Sequence, residues 1–484
     1  MKDVFTIESY MEKEPWASFL PGIAGEEGIP LWCMYVNRGQ AVVSFGAGDK
    51  DHAIMEFYPA HKAYQEVLTH GFRTFIRFPD GHVHEAFSIE NASKSRMAIR
   101  KNSLTLTEEA SCGISTEAVY YILPEEPLGA LARMVKVTNT GAEEQEIEVC
   151  DGMPEVVPYG VNADNLKNMT ETSKAFMSVE FLGKNSAVYR VRASMADSAE
   201  VKEVAEGNFA AGWGDGLREV KLIVDARQIF GRDTSFVHPL AFEEKGTPDP
   251  ADGRTSNIFP AAFFCRSARL KPGESLTFYE LYGQTGSTEI LKSFTAKSRD
   301  EAYFSLKKVR AEGLAEELTS RVATRTAFPD FDAYIANCYL DNGLRGGFPV
   351  RMGHNKVFYL YSRKHGDLER DYNYFSTLPE YASQGNGNFR DVLQNRREDT
   401  LISPFVSRKN IRDFFSLIQP DGANPLQIEP KTYVISRDRA EAVLEGLPAG
   451  IQKDILDFLT AKSFTPGRLL ERLSVIGDRD RQQK

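Results

Sequence analysis

The sequence is poor in cysteine, and its five cysteines are widely spaced. They are Cys33, Cys112, Cys150, Cys265 and Cys338, and no two of them form a C-x-x-C pair. This spacing excludes zinc ribbons and thioredoxin-type redox motifs, in which the cysteines lie close together. We interpret all five as small, buried hydrophobic residues. A sparse and odd number of cysteines also predicts a reducing, cytoplasmic environment.

An excess of positive charge is missing as well. The 484 residues include 58 basic and 68 acidic side chains, which gives a net charge of −10 and argues against a nucleic-acid-binding protein. No apolar run approaches the roughly 20 residues that cross a bilayer. Asp3 and Glu8 interrupt the N-terminal stretch that a secretion signal would need. The sequence therefore predicts a soluble, cytoplasmic protein with neither a nucleic-acid nor a membrane partner.

The common catalytic signatures are also absent from the sequence. It contains no Walker loop, no G-x-S-x-G elbow and no G-x-G-x-x-G after a strand. His354 and His365 lie in polar surroundings, but no third ligand follows at a spacing typical of zinc sites. We therefore predict no metal site and no cofactor.

Residues 30–284 are rich in short, β-type runs. Turn signals such as the Pro-Asp-Gly at 79–81 and the Lys-Pro-Gly at 271–273 separate these runs. Many strands without an intervening helical period indicate a large antiparallel β-sandwich rather than a βαβ fold. The predicted strands cover residues 30–36, 41–46, 72–78, 118–123, 130–137, 146–150, 187–193 and 276–282.

The pattern changes near residue 285. Ser298 and Glu301 form a capping-box pattern that opens a helix running to about Arg325. In that helix Leu306, Val309, Leu314 and Leu318 are spaced for one apolar face. Further helices alternate with loops. Their predicted ranges are 330–343, 366–382, 408–419, 437–446, 451–460 and 466–475. The predicted fold class is thus multidomain β plus α.

The most polar segment of the chain is residues 383–399, which we call the polar segment. Gly385 and Gly387 alternate with asparagines, which favours backbone with positive φ and close approach to a ligand. Arg390, Asp391, Gln394 and Arg396 follow, together with further asparagine and arginine residues. Guanidinium, carboxylate and amide groups on one loop suit the paired donors and acceptors of sugar hydroxyls.

Two other interpretations of these loops remain open. Arg390 with Asp391, and Arg396 with Asp399, could hold the polar segment through internal ion pairs. A second loop, residues 419–426, contains the Asp421-Gly422 turn signal and could be only a tight turn between helices.

Six literal motifs stand out in the first 75 residues. They are SFLPGIAG at 18–25, IPLWCMYVNRGQ at 29–40, SFG at 44–46, DKD at 49–51, MEFYP at 55–59 and GFRTF at 71–75. These motifs resemble the β domain of glycoside phosphorylases of glycoside hydrolase family 94. The nearest resemblance is to the cellobiose-phosphorylase-like proteins that act on 1,2-β-oligoglucans. Residues 363–399 resemble the beginning of the (α/α)6 catalytic barrel of that family.

The resemblance implies a three-part organisation. Residues 1–290 would form a galactose-mutarotase-like supersandwich, residues 291–326 a helical linker, and residues 327–484 the first part of an (α/α)6 barrel. It also implies inverting phosphorolysis, in which inorganic phosphate is the co-substrate and one carboxylic acid protonates the leaving oxygen. Arg390 and Asp391 would bind the donor sugar of a β-linked oligosaccharide, with Gln394 and Arg396 as further binding residues.

In that family the general acid and the phosphate-binding residues follow well beyond the Arg-Asp loop. We therefore expect a partial, inactive chain and nominate no catalytic residue. A C-terminal complementing chain or a homodimer would supply what the site needs. The alternative is a non-catalytic carbohydrate-binding or scaffold protein.

Overall fold

The computed structural model describes residues 4–195, 204–297, 299–352, 356–364 and 374–482. The predicted His354 and His365, and residues 366–373 of the predicted helix 366–382, lie outside these residues. No helix in the described part of the chain combines the length and the apolar character that crossing a bilayer requires.

Twenty-two strands are present in the described residues. They are β1 (Phe5–Glu8), β2 (Ala17–Leu20), β3 (Trp32–Val36), β4 (Val42–Gly46), β5 (Ala53–Met55), β6 (Arg73–Arg77), β7 (Val83–Ala86), β8 (Ser95–Ile99), β9 (Ser103–Glu109), β10 (Ile114–Ile122), β11 (Gly129–Asn139), β12 (Gln145–Met153), β13 (Met177–Phe181), β14 (Ser186–Val191), β15 (Gly207–Gly214), β16 (Lys221–Ile223), β17 (Ala262–Leu270), β18 (Ser275–Thr285), β19 (Phe348–Met352), β20 (Lys356–Leu360), β21 (Gly387–Asn388) and β22 (Gln427–Ile428).

These strands form two large antiparallel sheets, which confirms the predicted sandwich. One sheet has nine strands in the order β1-β8-β9-β10-β11-β18-β15-β14-β13, and the other has five in the order β16-β17-β12-β6-β7. Aromatic side chains from both sheets fill the space between them, where Phe72 lies 5.0 Å from Tyr282 between ring centroids. A smaller sheet, β2-β3-β4-β5, lies beside them in the chain's first 55 residues.

A charged group is buried at the centre of this sandwich. The guanidinium of Arg133 contacts the carboxylates of Asp151 and Glu280, and all three side chains are fully buried. The hydroxyl of Tyr282 donates to Glu280 at 3.0 Å. Burial, followed by the nearby Asp151, raises the pKa of Glu280 well above its ordinary value. The guanidinium of Arg133 thus lies between two acidic side chains, and this pairing limits the cost of burying the group.

The interpretation of all five cysteines as reduced is wrong for two of them. Cys150 on β12 and Cys265 on β17 are directly opposite in the strand register and form a disulfide with a Cα–Cα distance of 4.2 Å. The sequence could not indicate this pair because 115 residues separate its members. Cys33, Cys112 and Cys338 are free thiols.

Fourteen helices are present in the described residues. They are α1 (Ala60–Glu66), α2 (Ala163–Asn168), α3 (Thr170–Lys174), α4 (Arg227–Phe230), α5 (Leu240–Lys245), α6 (Thr288–Thr295), α7 (Glu301–Thr319), α8 (Pro329–Gly346), α9 (Phe389–Asn395), α10 (Asp399–Ile402), α11 (Lys409–Phe415), α12 (Arg437–Leu444), α13 (Ala449–Ala461) and α14 (Pro466–Gln482). The longer helices follow the sandwich, as the sequence predicts.

Helix α7 differs from its prediction in its cap and in its buried face. Ser298 lies outside the described residues, and Asp300 caps the helix by accepting from the backbone N–H of Tyr303 at 3.0 Å. Leu306 and Val309 are 68% and 66% exposed. Leu314 is buried as predicted, but Phe304, Ala311 and Ala315 complete the buried face in place of Leu306 and Val309. The prediction followed the large aliphatic residues and overlooked the alanines, which allow close packing.

Two further expectations in the helical part are wrong. Residues 374–382 are loop rather than helix. Gly385 and Gly387 have no positive φ. Gly385 is needed for close packing, since a Cβ there would lie 1.8 Å from the carbonyl oxygen of Ser376. The close approach at Gly385 is therefore to the chain's own backbone.

Candidate functional site

The polar segment is anchored on both sides by backbone pairing. Strand β21, within the segment, pairs with β22. Tyr361 N–H donates to the Ser383 carbonyl at 2.8 Å, and Thr377 N–H donates to the Gly48 carbonyl at 2.7 Å. Residues 381–387 are buried, so the segment reaches the surface only where α9 begins.

Asp391 lies in the first turn of α9 with its carboxylate partly open to solvent. Asn388 Nδ2 donates to Oδ2 at 2.9 Å, and Arg390 Nε donates to Oδ1 at 3.1 Å. The hydrogen bond from Asn388, followed by the charge of Arg390, lowers the pKa of Asp391. The side chain remains 33% exposed. Asp391 is thus an ionised, oriented acceptor with free lone pairs, which suits a sugar hydroxyl.

Arg390 and Gln394 lie beside Asp391 on the solvent side of α9. The Arg390 side chain is 85% exposed, and Gln394 is exposed one turn later. Residues three and four apart on a helix share one face. Helix α9 therefore presents guanidinium, carboxylate and amide groups together. The ion pair between Arg390 and Asp391, which the sequence left as an alternative, is also present.

Arg396 is placed differently from the other three predicted residues. It is buried, and its Nε donates to the carbonyl of Gly346. Its guanidinium lies 3.6 Å from the centroid of the Tyr359 ring, a cation–π contact. Burial lowers its pKa. The same side chain borders a narrow crevice together with Gln384 and Lys431.

A hydrogen-bonded group below the polar segment connects α10 and α11 to β20. The hydroxyl of Tyr359 lies 2.6 Å from Asp399 Oδ2 and 2.8 Å from Asn410 Oδ1. Asn410 Nδ2 donates to Asp399 Oδ2 at 3.1 Å. Burial raises the pKa of Asp399 despite these bonds. The carboxylate of Asp399 therefore accepts hydrogen bonds from the Tyr359 hydroxyl and the Asn410 amide.

Tyr374, which precedes the polar segment, contacts the turn between β4 and β5. We call this contact the junction, and the β2–β5 sheet its sandwich side. Tyr374 donates to Asp49 Oδ2 at 2.8 Å, and Asp49 Oδ1 lies 2.7 Å from His52 Nδ1. Burial alone would raise the pKa of Asp49, but the hydrogen bonds from His52 and Tyr374 lower it. The hydrogen bond to Asp49 raises the pKa of His52.

An aromatic cluster fixes this junction. Phe375 lies 5.5 Å from Trp32 and 6.2 Å from Phe57 between ring centroids. Ser376 N–H donates to Asn386 Oδ1 at 2.9 Å. The residue that follows Tyr374 is thus packed into the sandwich side, which holds the Tyr374 hydroxyl against Asp49.

Sequence reasoning did not connect Asp49, His52, Tyr359 or Tyr374 with the polar segment. The only local signal is the i, i+3 spacing of Asp49 and His52 after a strand, and such a pair is common in turns. The second loop is a tight turn, since Gly422 N–H donates to the Gln419 carbonyl at 2.9 Å. No cluster of three histidine, cysteine or acidic side chains arranged for a metal ion occurs among the described residues.

Comparison with known families supports the resemblance seen in the sequence. Residues 101–302 match the family described as "Glycosyl hydrolase 94, supersandwich domain". The matched region contains the long central strands of the nine-stranded sheet and ends at residue 302, inside the predicted helical linker. The sequence matches none of the curated proteins.

Solved structures of carbohydrate-active proteins show a distant likeness. A bacterial glucoamylase complexed with acarbose matches with a TM-score of 0.40 and 9% identity over 94% of this chain, which spans 59% of the glucoamylase. A putative aldose 1-epimerase from Escherichia coli K12 matches at 0.29 and 11% over 56% of this chain and 99% of that one. A putative kojibiose phosphorylase from the human microbiome matches at 0.24 and 7% over 69% of this chain and 32% of that one.

Proposed function

We propose that this chain is the sugar-binding portion of an inverting glycoside phosphorylase that acts on β-linked, in particular β-1,2-linked, oligoglucans. The observation that carries the proposal is the match of residues 101–302 to the glycosyl hydrolase 94 supersandwich domain. Helix α9 supports it, because Arg390, Asp391 and Gln394 form a solvent-facing set suited to sugar hydroxyls.

In the proposed reaction an oxygen of inorganic phosphate attacks the anomeric carbon with inversion. The new bond joins that carbon to the phosphate oxygen, the glycosidic bond breaks, and the leaving oxygen takes a proton from a carboxylic acid. The products are glucose 1-phosphate and the shortened oligosaccharide. Asp391 and Arg390 hold the donor sugar, Gln394 and Arg396 contribute to the same subsite, and we assign the general acid to none of the described residues.

We further propose that the helical part is the first part of an (α/α)6 barrel and that this catalytic domain is incomplete. Apolar side chains exposed on its helices support this. On α11, Ile411 and Phe415 are 63% and 71% exposed, and Leu401 on α10 is 80% exposed. Apolar surface of this kind is normally covered by protein. We propose that a C-terminal complementing chain, or a second copy of this one, covers it and completes the active site.

An assay for glucose 1-phosphate tests this proposal. The chain alone, incubated with β-1,2-oligoglucan and inorganic phosphate, should bind the saccharide and release no glucose 1-phosphate. Co-expression with a complementing helical chain should produce phosphate-dependent turnover. Turnover by the chain alone would show that its own residues suffice.

The competing candidate is a non-catalytic carbohydrate-binding or scaffold protein. The exposed set on α9 favours it equally, because binding requires no general acid. The coding sequence downstream distinguishes the two, since a continuation that encodes further barrel helices supports the phosphorylase. A downstream region that encodes no such helices supports the scaffold.

A cytoplasmic location belongs to the same proposal. The free thiols of Cys33, Cys112 and Cys338 support it, whereas the Cys150–Cys265 disulfide is more typical of an oxidising compartment. Fractionation of the producing cells, with immunodetection of the chain, tests the location directly.

A further inference from the structure

A carboxylate–imidazole pair lies in the turn between β4 and β5. Asp49 Oδ1 is 2.7 Å from His52 Nδ1, and the same oxygen accepts from the backbone N–H of Asp51 at 2.9 Å. The two side chains differ in exposure, at 13% for Asp49 and 48% for His52. The buried carboxylate of Asp49 therefore holds the half-exposed ring of His52 in place.

This contact fixes which ring nitrogen of His52 is available. Because Nδ1 carries the hydrogen that is donated to Asp49, Nε2 is the atom left for another partner. The ring centroid of Tyr159 lies 6.2 Å from that of His52 at an interplanar angle of 45°. A tyrosine and an oriented imidazole thus lie side by side on the sandwich side of the junction.

The pair is joined to the polar segment through hydrogen bonds of Tyr374 and Asn386. Tyr374 donates to Asp49 Oδ2 at 2.8 Å. Asn386 Nδ2 donates to the Tyr374 carbonyl at 3.4 Å, and two residues later Asn388 holds Asp391 at 2.9 Å. The half-exposed imidazole and the α9 carboxylate are therefore fixed to one loop.

A purely structural role accounts for only part of this arrangement. The hydrogen bond from Tyr374 to Asp49 would suffice to join the two parts of the chain. It does not require a second donor whose side chain is nearly half exposed. The remaining ring nitrogen of His52 can form a hydrogen bond with a sugar hydroxyl, which is both donor and acceptor.

We propose that His52 contacts the bound saccharide through Nε2, with Asp49 and Tyr374 as positioning residues. The proposal rests on the proposed function and adds the sandwich side of the junction to the saccharide site. The ligand class is a neutral oligosaccharide that extends from Asp391 towards the β4–β5 turn.

Calorimetric titration of the chain with a β-1,2-oligoglucan tests this role. His52→Gln should weaken binding about tenfold, which is about 1.4 kcal/mol. His61→Gln is the matched control, because His61 is an exposed histidine on α1, and its affinity should equal that of the wild type. A His52→Gln variant that binds as tightly as the wild type would overturn the role of His52.

The pH profile separates a positioning role from a merely structural one. Asp49, Asp51, Tyr159 and Tyr374 are the titratable groups around the imidazole. In the protonated ring Nε2 donates to a sugar hydroxyl while Nδ1 remains on Asp49. Wild-type affinity should therefore fall as pH rises through the raised pKa of His52. Asp49→Asn should move this fall to lower pH, and Tyr374→Phe should leave the fall in place while weakening binding.

The outcomes distinguish the two proposals. A wild-type chain that binds, with an unchanged pH profile in Asp49→Asn, would overturn the positioning role alone. A wild-type chain that binds no oligoglucan would overturn the proposed function, and the role of His52 with it.

Discussion

The hydroxyl of Tyr374 donates a hydrogen bond of 2.8 Å to Oδ2 of Asp49, although 325 residues separate the two in the chain. Tyr374 precedes the polar segment, and Asp49 lies in a turn of the small β2–β5 sheet. The bond therefore connects the candidate saccharide site to the sandwich side of the molecule.

Tyr374→Phe should destabilise the chain modestly. The change removes the donor but leaves Asp49 paired with His52, so we expect a loss of about 1 kcal/mol in the free energy of unfolding. Urea unfolding followed by circular dichroism measures it. Tyr433→Phe, at a half-exposed tyrosine of the helical part, should leave the midpoint unchanged, and equal effects of the two changes would argue against the bond.

Arg396→Lys should lower stability because a lysine cannot reproduce the flat contact over Tyr359. We expect about 1 kcal/mol, within the range of cation–π contacts. The matched control is Arg397→Lys, since Arg397 is exposed and pairs with Glu398 at 3.1 Å. Thermal melting of the two variants gives the comparison. A melting temperature for Arg396→Lys equal to that of Arg397→Lys would contradict a stabilising contact between Arg396 and the Tyr359 ring.

The buried group around Arg133 should make stability depend on pH in a defined direction. The pKa of Glu280 is raised in the folded chain, so its contribution is fully present below the ordinary glutamate value and is lost as pH rises through the raised one. Glu280→Gln should remove this alkaline loss, because the amide cannot ionise. Melting temperatures measured across pH test the effect, with the exposed Glu289→Gln as the control.

Removing the cation from the same group should be far more costly. Arg133→Met leaves Asp151 buried without its partner, and breaking such a pair costs about 3–5 kcal/mol. A variant that unfolds at the wild-type denaturant concentration would show that Asp151 is not held as a buried anion.

The disulfide should be detectable by thiol labelling. Under denaturing, non-reducing conditions Cys33, Cys112 and Cys338 should react, while Cys150 and Cys265 should not. Prior reduction should expose all five and lower the unfolding free energy by about 2–5 kcal/mol. Labelling of five thiols without reduction would instead favour the reduced state that the sequence suggests.

Much of the sandwich could be predicted from the sequence, because strand periodicity and turn residues are local signals. The predicted runs at 30–36, 130–137 and 276–282 correspond to β3, β11 and β18. Contacts between distant residues gave no such signal. The Cys150–Cys265 pair and the bond between Tyr374 and Asp49 depend on which strands and loops the fold brings together.

The candidate site was predictable in part. The composition of the polar segment indicated the exposed groups on α9, but it could not separate exposed Arg390 from buried Arg396. Residues 374–382 were predicted as helix from their composition, whereas packing of Phe375 against Trp32 and Phe57 holds them as a loop against the β2–β5 sheet. Tertiary packing outweighs local preference at such positions.

Calorimetric titration with β-1,2-linked glucooligosaccharides tests the central claim most directly. The wild-type chain should bind them, and Asp391→Ala should abolish measurable binding because the ionised acceptor on α9 is lost. Asp438→Ala, at an exposed aspartate of α12, should bind as the wild type does. Equal affinity of Asp391→Ala and the wild type would contradict the assignment of Asp391 to the saccharide site.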